Sequence, residues 1–171
     1  MVFSREGVVR DMFPEVGIKT LPSVAVAYLT RSGDYSGMAD AFRELDSWAV
    51  KSGFTVAGPP VLVYRTNPAG LQAAAGEWEV QLAVTGESAG VEKEGEACIK
   101  QLKERQVVFT FSRGGYTTAG LLLPVLFQVV YDMGYRLAGP AEEVYPSDFL
   151  RKPAAETITE VRFPVSPRNK L

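Results

Sequence analysis

The 171-residue sequence matches itself when shifted by 81 positions, and this constrains its fold more than any other feature. Gly33 and Tyr35 fall on Gly114 and Tyr116, Gly53 on Gly134, and Ala57, Gly58 and Pro59 on Ala138, Gly139 and Pro140. Ile18, Lys19 and Leu21 meet Ile99, Lys100 and Leu102; Val63 and Tyr64 meet Val144 and Tyr145; Glu79 and Val80 meet Glu160 and Val161. No gap is needed from Glu15 and Glu96 onward. About one pair in four is identical, whereas ordinary residue usage gives roughly one in sixteen by chance. The turn-forming residues recur in register, so the chain reads as two copies of one unit, about residues 15–85 and 96–166, that bury a shared core against each other.

Within each copy the signals run in one order: an extended run, a Gly-x-Tyr turn, a helical pattern, a glycine stop and two further extended runs. That order predicts strand, helix, strand, strand. In the first helix, about residues 36–52, Met38, Ala41, Phe42, Leu45, Trp48 and Ala49 recur at helical spacing, with Asp40, Arg43, Glu44, Ser47 and Lys51 opposite. Gly53 and Gly134 stand where a left-handed residue would close each helix, and the Gly-Pro pairs at 58–59 and 139–140 mark the next turn. The second helix, about 117–133, departs from the first, because Asp40, Glu44 and Ser47 are matched by Leu121, Val125 and Gln128. Its outer face is therefore apolar and is expected to be covered, by residues 1–14 or by a second copy in a homodimer. Pro124 is expected early in this helix or at a kink.

One core suffices for a chain of this length, and residues 1–171 are read as a single domain. Eighteen Lys and Arg against 20 Asp and Glu leave a formal charge of −2, so neither nucleic acid nor a membrane surface is an expected partner. The sequence has no histidine, which removes His-based triads, most zinc sites and the usual haem ligand; no metal or cofactor is expected. Cys98 is the single cysteine and no secretory leader pattern occurs, so the expected location is cytoplasmic. The longest apolar stretch, residues 119–130, falls well short of the roughly 20 residues that cross a bilayer, and no glycine motif that cradles phosphate is present.

Strand alternation sorts the candidate site residues onto faces. In the run Val61 to Tyr64, Leu62 and Tyr64 point opposite to Val61 and Val63; at the repeat, Glu143 and Tyr145 oppose Val144. With the valines under the helices, Leu62, Tyr64, Glu143 and Tyr145 would face an open groove. Glu79 and Glu160 alternate with Trp78, Val80 and Val161, so three glutamates would share the open side. Each has a structural alternative: Glu143 as a solvated strand carboxylate, Glu79 and Glu160 as partners of Arg162 or another surface charge. Tyr35 and Tyr116 follow tight turns and either close a helix N-terminus or touch a ligand. Phe109 and Phe111 share one face, as core or as groove floor. Trp48 and Trp78 are expected in the core.

The segments VAYLTRSGDYSGM, GFTVAGPP, the EVY at 143–145 and the closing ETITEVRFPV together resemble the GyrI-like small-molecule-binding domain, the effector-binding domain of bacterial multidrug-sensing transcription activators. The resemblance runs from about Val16 to Val165. It implies an α+β fold in which a duplicated strand-helix-strand-strand module forms a pseudo-two-fold antiparallel sheet of about eight strands, with two helices on one face and a ligand groove on the other. It also implies that Glu143 is a buried glutamate that binds lipophilic, often cationic compounds; the face assignment above places Leu62, Tyr64 and Tyr145 beside it, with Glu79, Glu160, Tyr35, Tyr116 and Phe111 as further candidate ligand contacts. A carboxylate among tyrosines and apolar groups is costly to ionise unless a positive charge joins it, and each tyrosine face adds cation–π attraction of roughly 0.5 to 2 kcal/mol.

The family's transcription activators carry a DNA-binding region ahead of this domain, and only about fourteen residues precede the first strand here. The chain is thus expected to be of the stand-alone kind, without direct contact to nucleic acid. Stand-alone relatives imply three activities: multidrug binding or sequestering, inhibition of DNA gyrase through protein contacts, and cofactor-free hydrolysis of electrophilic cyclopropane-bearing compounds. For hydrolysis, Glu143 with Glu79 or Glu160 would have to activate water and protonate the leaving group. Fold alone does not choose among these.

Overall fold

The computed structural model describes residues 16–65, 76–87, 97–113, 116–146, 149–153 and 156–169, with the backbone alone for 116–121. The first copy gives β1 (Gly17–Leu21), β2 (Val24–Gly33), a 3₁₀ turn (Tyr35–Gly37), α1 (Met38–Lys51), β3 (Thr55–Val56), β4 (Val61–Tyr64) and β5 (Gly76–Thr85). The second gives β6 (Cys98–Leu102), β7 (Arg105–Arg113), α2 (Tyr116–Asp132), β8 (Tyr135–Leu137), β9 (Glu142–Val144) and β10 (Ile158–Pro167). The duplicated strand-helix-strand-strand order is therefore realised, with a short extra strand, β3 or β8, after each helix.

Helix α1 buries Met38, Ala41, Phe42, Leu45 and Ala49, the stripe its periodicity marks. Trp48 is only partly buried and stacks on Phe54, ring centres 6.3 Å apart, instead of entering the centre. The helix stops where Gly53 takes φ 89°. There the Gly53 N–H donates to the Val50 carbonyl at 3.1 Å and the Phe54 N–H to the Ala49 carbonyl at 3.0 Å, the paired bonds that satisfy the last turn when a glycine can turn left-handed. Helix α2 ends on its matching glycine, Gly134, at φ 87°.

In α2 the inner side chains Leu123, Leu126, Val129 and Val130 are buried, while Phe127 and Tyr131 remain exposed. Pro124 lies well inside the helix, not at its start. Arg168, just after β10, covers part of the outer face. Its guanidinium sits 4.0 Å from the Tyr131 ring centre, and its Nη2 donates to the Tyr131 carbonyl at 2.8 Å. The cover expected from residues 1–14 and the Leu121 side chain lie outside the described residues.

All strands join one antiparallel sheet in the order β1-β7-β10-β9-β4-β5-β2-β6, with β3 on β5 and β8 on β10. The sheet curls into a half-barrel carrying the two helices. At its centre β4 and β9 pair as Val61 with Val144, Leu62 with Glu143, and Val63 with Glu142. These are residues 81 apart taken crosswise, so the pseudo-two-fold axis passes between Leu62 and Glu143. The first strand of each copy lies in the other copy's half: β1 pairs with β7 and β6 with β2. Among the described residues no helix is long and apolar enough to cross a membrane.

Candidate functional site

The register of β4 with β5 decides which face each candidate occupies. Leu62 pairs with Val80 and Tyr64 with Trp78, whereas Val61 pairs with Gln81 and Val63 with Glu79. Paired residues share a face, so Leu62 and Tyr64 join Trp78 and Val80 in the core that also holds Met38, Phe42 and Leu45 of α1. Glu143 pairs with Leu62 and with Val161 and points the same way. The expected face assignment is thereby corrected. Glu143, Tyr64, Tyr145 and Leu62 stand on the helix-bearing side, and Val61, Val63 and Val144 on the other. Both alternating sets are rich in apolar residues, so hydrophobicity alone does not break the tie.

Glu143 has no exposed surface. Tyr64 Oη donates to its Oε1 at 2.6 Å, and Tyr145 Oη to its Oε2 at 2.5 Å. The two tyrosines are 81 positions apart, so the single carboxylate beside the axis is gripped by one phenol from each copy. Burial pushes the Glu143 carboxyl up from 4.5 to about 7, against the opposing pull of the two phenolic hydrogen bonds. Burial and the adjacent Glu143 charge hold the Tyr64 phenol well above its ordinary value, keeping it a donor. Tyr35 is pushed up for the same two reasons.

Aromatic rings enclose this group. Tyr35, half-buried on the 3₁₀ turn, meets Tyr64 edge-on with ring centres 5.4 Å apart and Trp78 at 5.9 Å. On the other flank Tyr145 stacks on Phe149 at 4.8 Å, and Phe42 closes edge-on against Tyr145 at 6.2 Å and Phe149 at 5.6 Å. Phe149 belongs to no strand or helix and carries no periodic signal. Phe42 and Trp78 look like core residues in the sequence and are core, yet they also wall the site.

Three expected members are elsewhere. Glu79 lies on the opposite face, fully buried, where it takes hydrogen bonds from Gln81 Nε2 at 2.6 Å, Lys100 Nζ at 2.5 Å and Arg65 Nη1 at 3.1 Å. Glu160 shares that face and pairs with Lys19 at 2.8 Å and Arg162 at 3.4 Å. Beside it Glu142 is held by Arg105 and by Arg162 Nε at 2.6 Å. These carboxylates are bound up in ion pairs, and the catalytic set of Glu143 with Glu79 or Glu160 is not assembled. Phe111, 42% exposed, packs edge-on against Phe109 on this same far side. The Tyr116 side chain lies outside the described residues. A separate surface groove of about 620 Å³ runs past Thr20, Arg105, Gln106, Gly139 and Pro164 and does not include Glu143. No group of residues able to hold a metal occurs among the described residues.

A duplicated antiparallel half-barrel with two helices is the architecture of small-molecule-binding domains related to multidrug-sensing effector domains. Residues 14–166 match the GyrI-like small molecule binding domain, and the chain belongs to that family. No curated protein sequence is significantly similar to it. Among solved structures the EcmrR C-terminal domain is similar over 90% of this chain and 98% of its own length, at 21% identity and TM-score 0.77. The chain spans 58% of the EcmrR chain in its complex with DNA. A Listeria innocua protein described as a hydrolase is 16% identical, with 89% and 92% of the two chains covered and TM-score 0.64. The protein SAV2435, solved bound to tetraphenylphosphonium, is 14% identical over 89% of this chain and 98% of that one, with TM-score 0.56.

Proposed function

We propose that the protein binds lipophilic, often cationic small molecules in the cytoplasm, as a drug-binding or sequestering domain that uses residues 1–171 as one unit. The observation that carries this reading is the Glu143 carboxylate, buried on the axis with a tyrosine on each oxygen and aromatic rings on both flanks. A carboxylate so placed loses its hydration and has no cation beside it among the described residues, so a ligand that brings a diffuse positive charge replaces what burial removed. The surrounding ring faces favour the same ligand. That a relative of this fold was solved with tetraphenylphosphonium supports the choice of probe.

Glu143 is completely covered, so entry requires the aromatic wall to part. Half-buried Tyr35 is the side chain best placed to move. Titration with tetraphenylphosphonium, followed by tryptophan fluorescence because Trp78 touches Tyr35, is expected to saturate at micromolar concentrations. Glu143→Gln should weaken binding by at least tenfold. Absence of saturable binding, or equal affinity in the variant, would refute the assignment.

A further inference from the structure

The two halves of the site correspond residue by residue, and they differ in chemistry. In the first half the helix-bearing face carries Leu29 and Trp78, both buried. Eighty-one positions on, the same places hold Thr110 and Thr159, which have no exposed surface. An isobutyl group and an indole are thus exchanged for two short side chains with hydroxyls. Thr110 pairs with Val161, which in turn pairs with Glu143, so Thr110 lies in the same cross-strand row as the carboxylate. Thr159 is the next inward-facing residue along β10, one diagonal step from Thr110. Trp78 pairs with Tyr64, and Thr159 holds the matching place relative to Tyr145.

Neither Thr110 Oγ1 nor Thr159 Oγ1 has a hydrogen-bond partner among the described residues. Buried hydroxyls are normally satisfied, because leaving one unpaired forfeits its hydration without return. Two such groups side by side, at positions where the other copy is filled by larger apolar groups, call for a partner that the described residues do not supply.

We propose that Thr110 and Thr159 form a polar subsite in the second half of the Glu143 site that receives a neutral acceptor oxygen, of the ether or carbonyl type, on an otherwise apolar ligand. This rests on the ligand-binding reading above and adds the ligand chemistry that the site prefers. Each hydroxyl has one proton to give, and one oxygen with two lone pairs accepts both. An anion is disfavoured by the nearby Glu143 carboxylate, and a purely hydrocarbon group leaves both hydroxyls unpaired. Strand β7 is two strands from β9, roughly 10 Å away, so a cation held at Glu143 and an oxygen held by the threonines fit on one molecule with a short linking arm.

Two probes of equal size test this: pentyltriphenylphosphonium and 3-methoxypropyltriphenylphosphonium, which differ by one methylene replaced with an ether oxygen. Calorimetric affinities are measured for the wild-type chain, for Thr110→Val/Thr159→Val, whose side chains keep the shape of threonine, and for Thr159→Ser, which keeps the hydroxyl. The ratio of the two affinities is expected to shift about tenfold toward the pentyl probe in the double valine variant and to stay near wild type in the serine variant. A ratio unchanged by the valines, with the pentyl probe still binding, overturns the subsite and leaves the binding reading intact. Failure of both probes to bind the wild-type protein overturns both.

Discussion

Burial raises the Glu143 carboxyl to about 7 in the folded protein, while in the unfolded chain it titrates near 4.5. Between these values the folded state holds the proton more tightly, so stability contributed by this group is full at low pH, declines as pH rises through the window and levels off above about 7. Glu143→Gln should therefore flatten the dependence of the urea midpoint on pH between 5 and 8. At pH 8 it should stabilise the fold by about 2 kcal/mol, roughly 3 from the abolished ionisation less about 1 for a weakened tyrosine contact. Binding shows the opposite trend. A monocation pairs with the ionised form, so its affinity should drop about tenfold for each pH unit below 7 and be constant above it, which calorimetry in buffers of different ionisation enthalpy would reveal as release of one proton. Of this site the tyrosines and the glutamate were legible, because Tyr64 and Tyr145 repeat and Glu143 replaces a leucine. That a carboxylate would point into the helix-covered core was not legible from periodicity, since burial normally excludes it. Phe149 gave no signal at all.

At the scale of elements, the repeat located α1 and α2 to within two residues, because glycine stops and apolar stripes act locally. Faces were harder, because alternation fixes which residues point together and not which set meets the helices. In β4 both sets are apolar, and only its pairing with β5, a contact distant in sequence, places Leu62 beside Val80. The same pairing sends Glu79 to the far side of the sheet, where its role is to close ion pairs between the copies: Lys100 of the second copy with Glu79 of the first, Lys19 of the first with Glu160 of the second. Each lysine also lies over an aromatic ring, Tyr28 or Phe109, at 4.2 and 4.3 Å. Glu79→Ala removes a buried acceptor from three donors and is expected to destabilise the fold by about 3 kcal/mol. Tetraphenylphosphonium affinity should stay within twofold of wild type. A large loss of affinity without a loss of stability would return Glu79 to the site.

At the scale of the whole molecule, the exchange of β1 and β6 makes the copies interdependent. The first copy alone, residues 15–95, would have β1 without β7 to pair with and β2 without β6. Expressed by itself it is expected to run in light scattering at twice its mass, two chains trading their first strands, with no folded monomer. A folded monomeric fragment would contradict the interlocked arrangement. Such a dimer of identical chains also has a restriction of arithmetic. Whatever it places at the centre it must place twice, so facing side chains 62 and 143 would be two leucines or two glutamates, the latter a like-charge pair that suppresses its own ionisation. Joining the copies in one polypeptide makes odd numbers available. With Leu62 across from Glu143, the proposed site would present a single negative charge to a guest, and its two ends would read different parts of the same molecule.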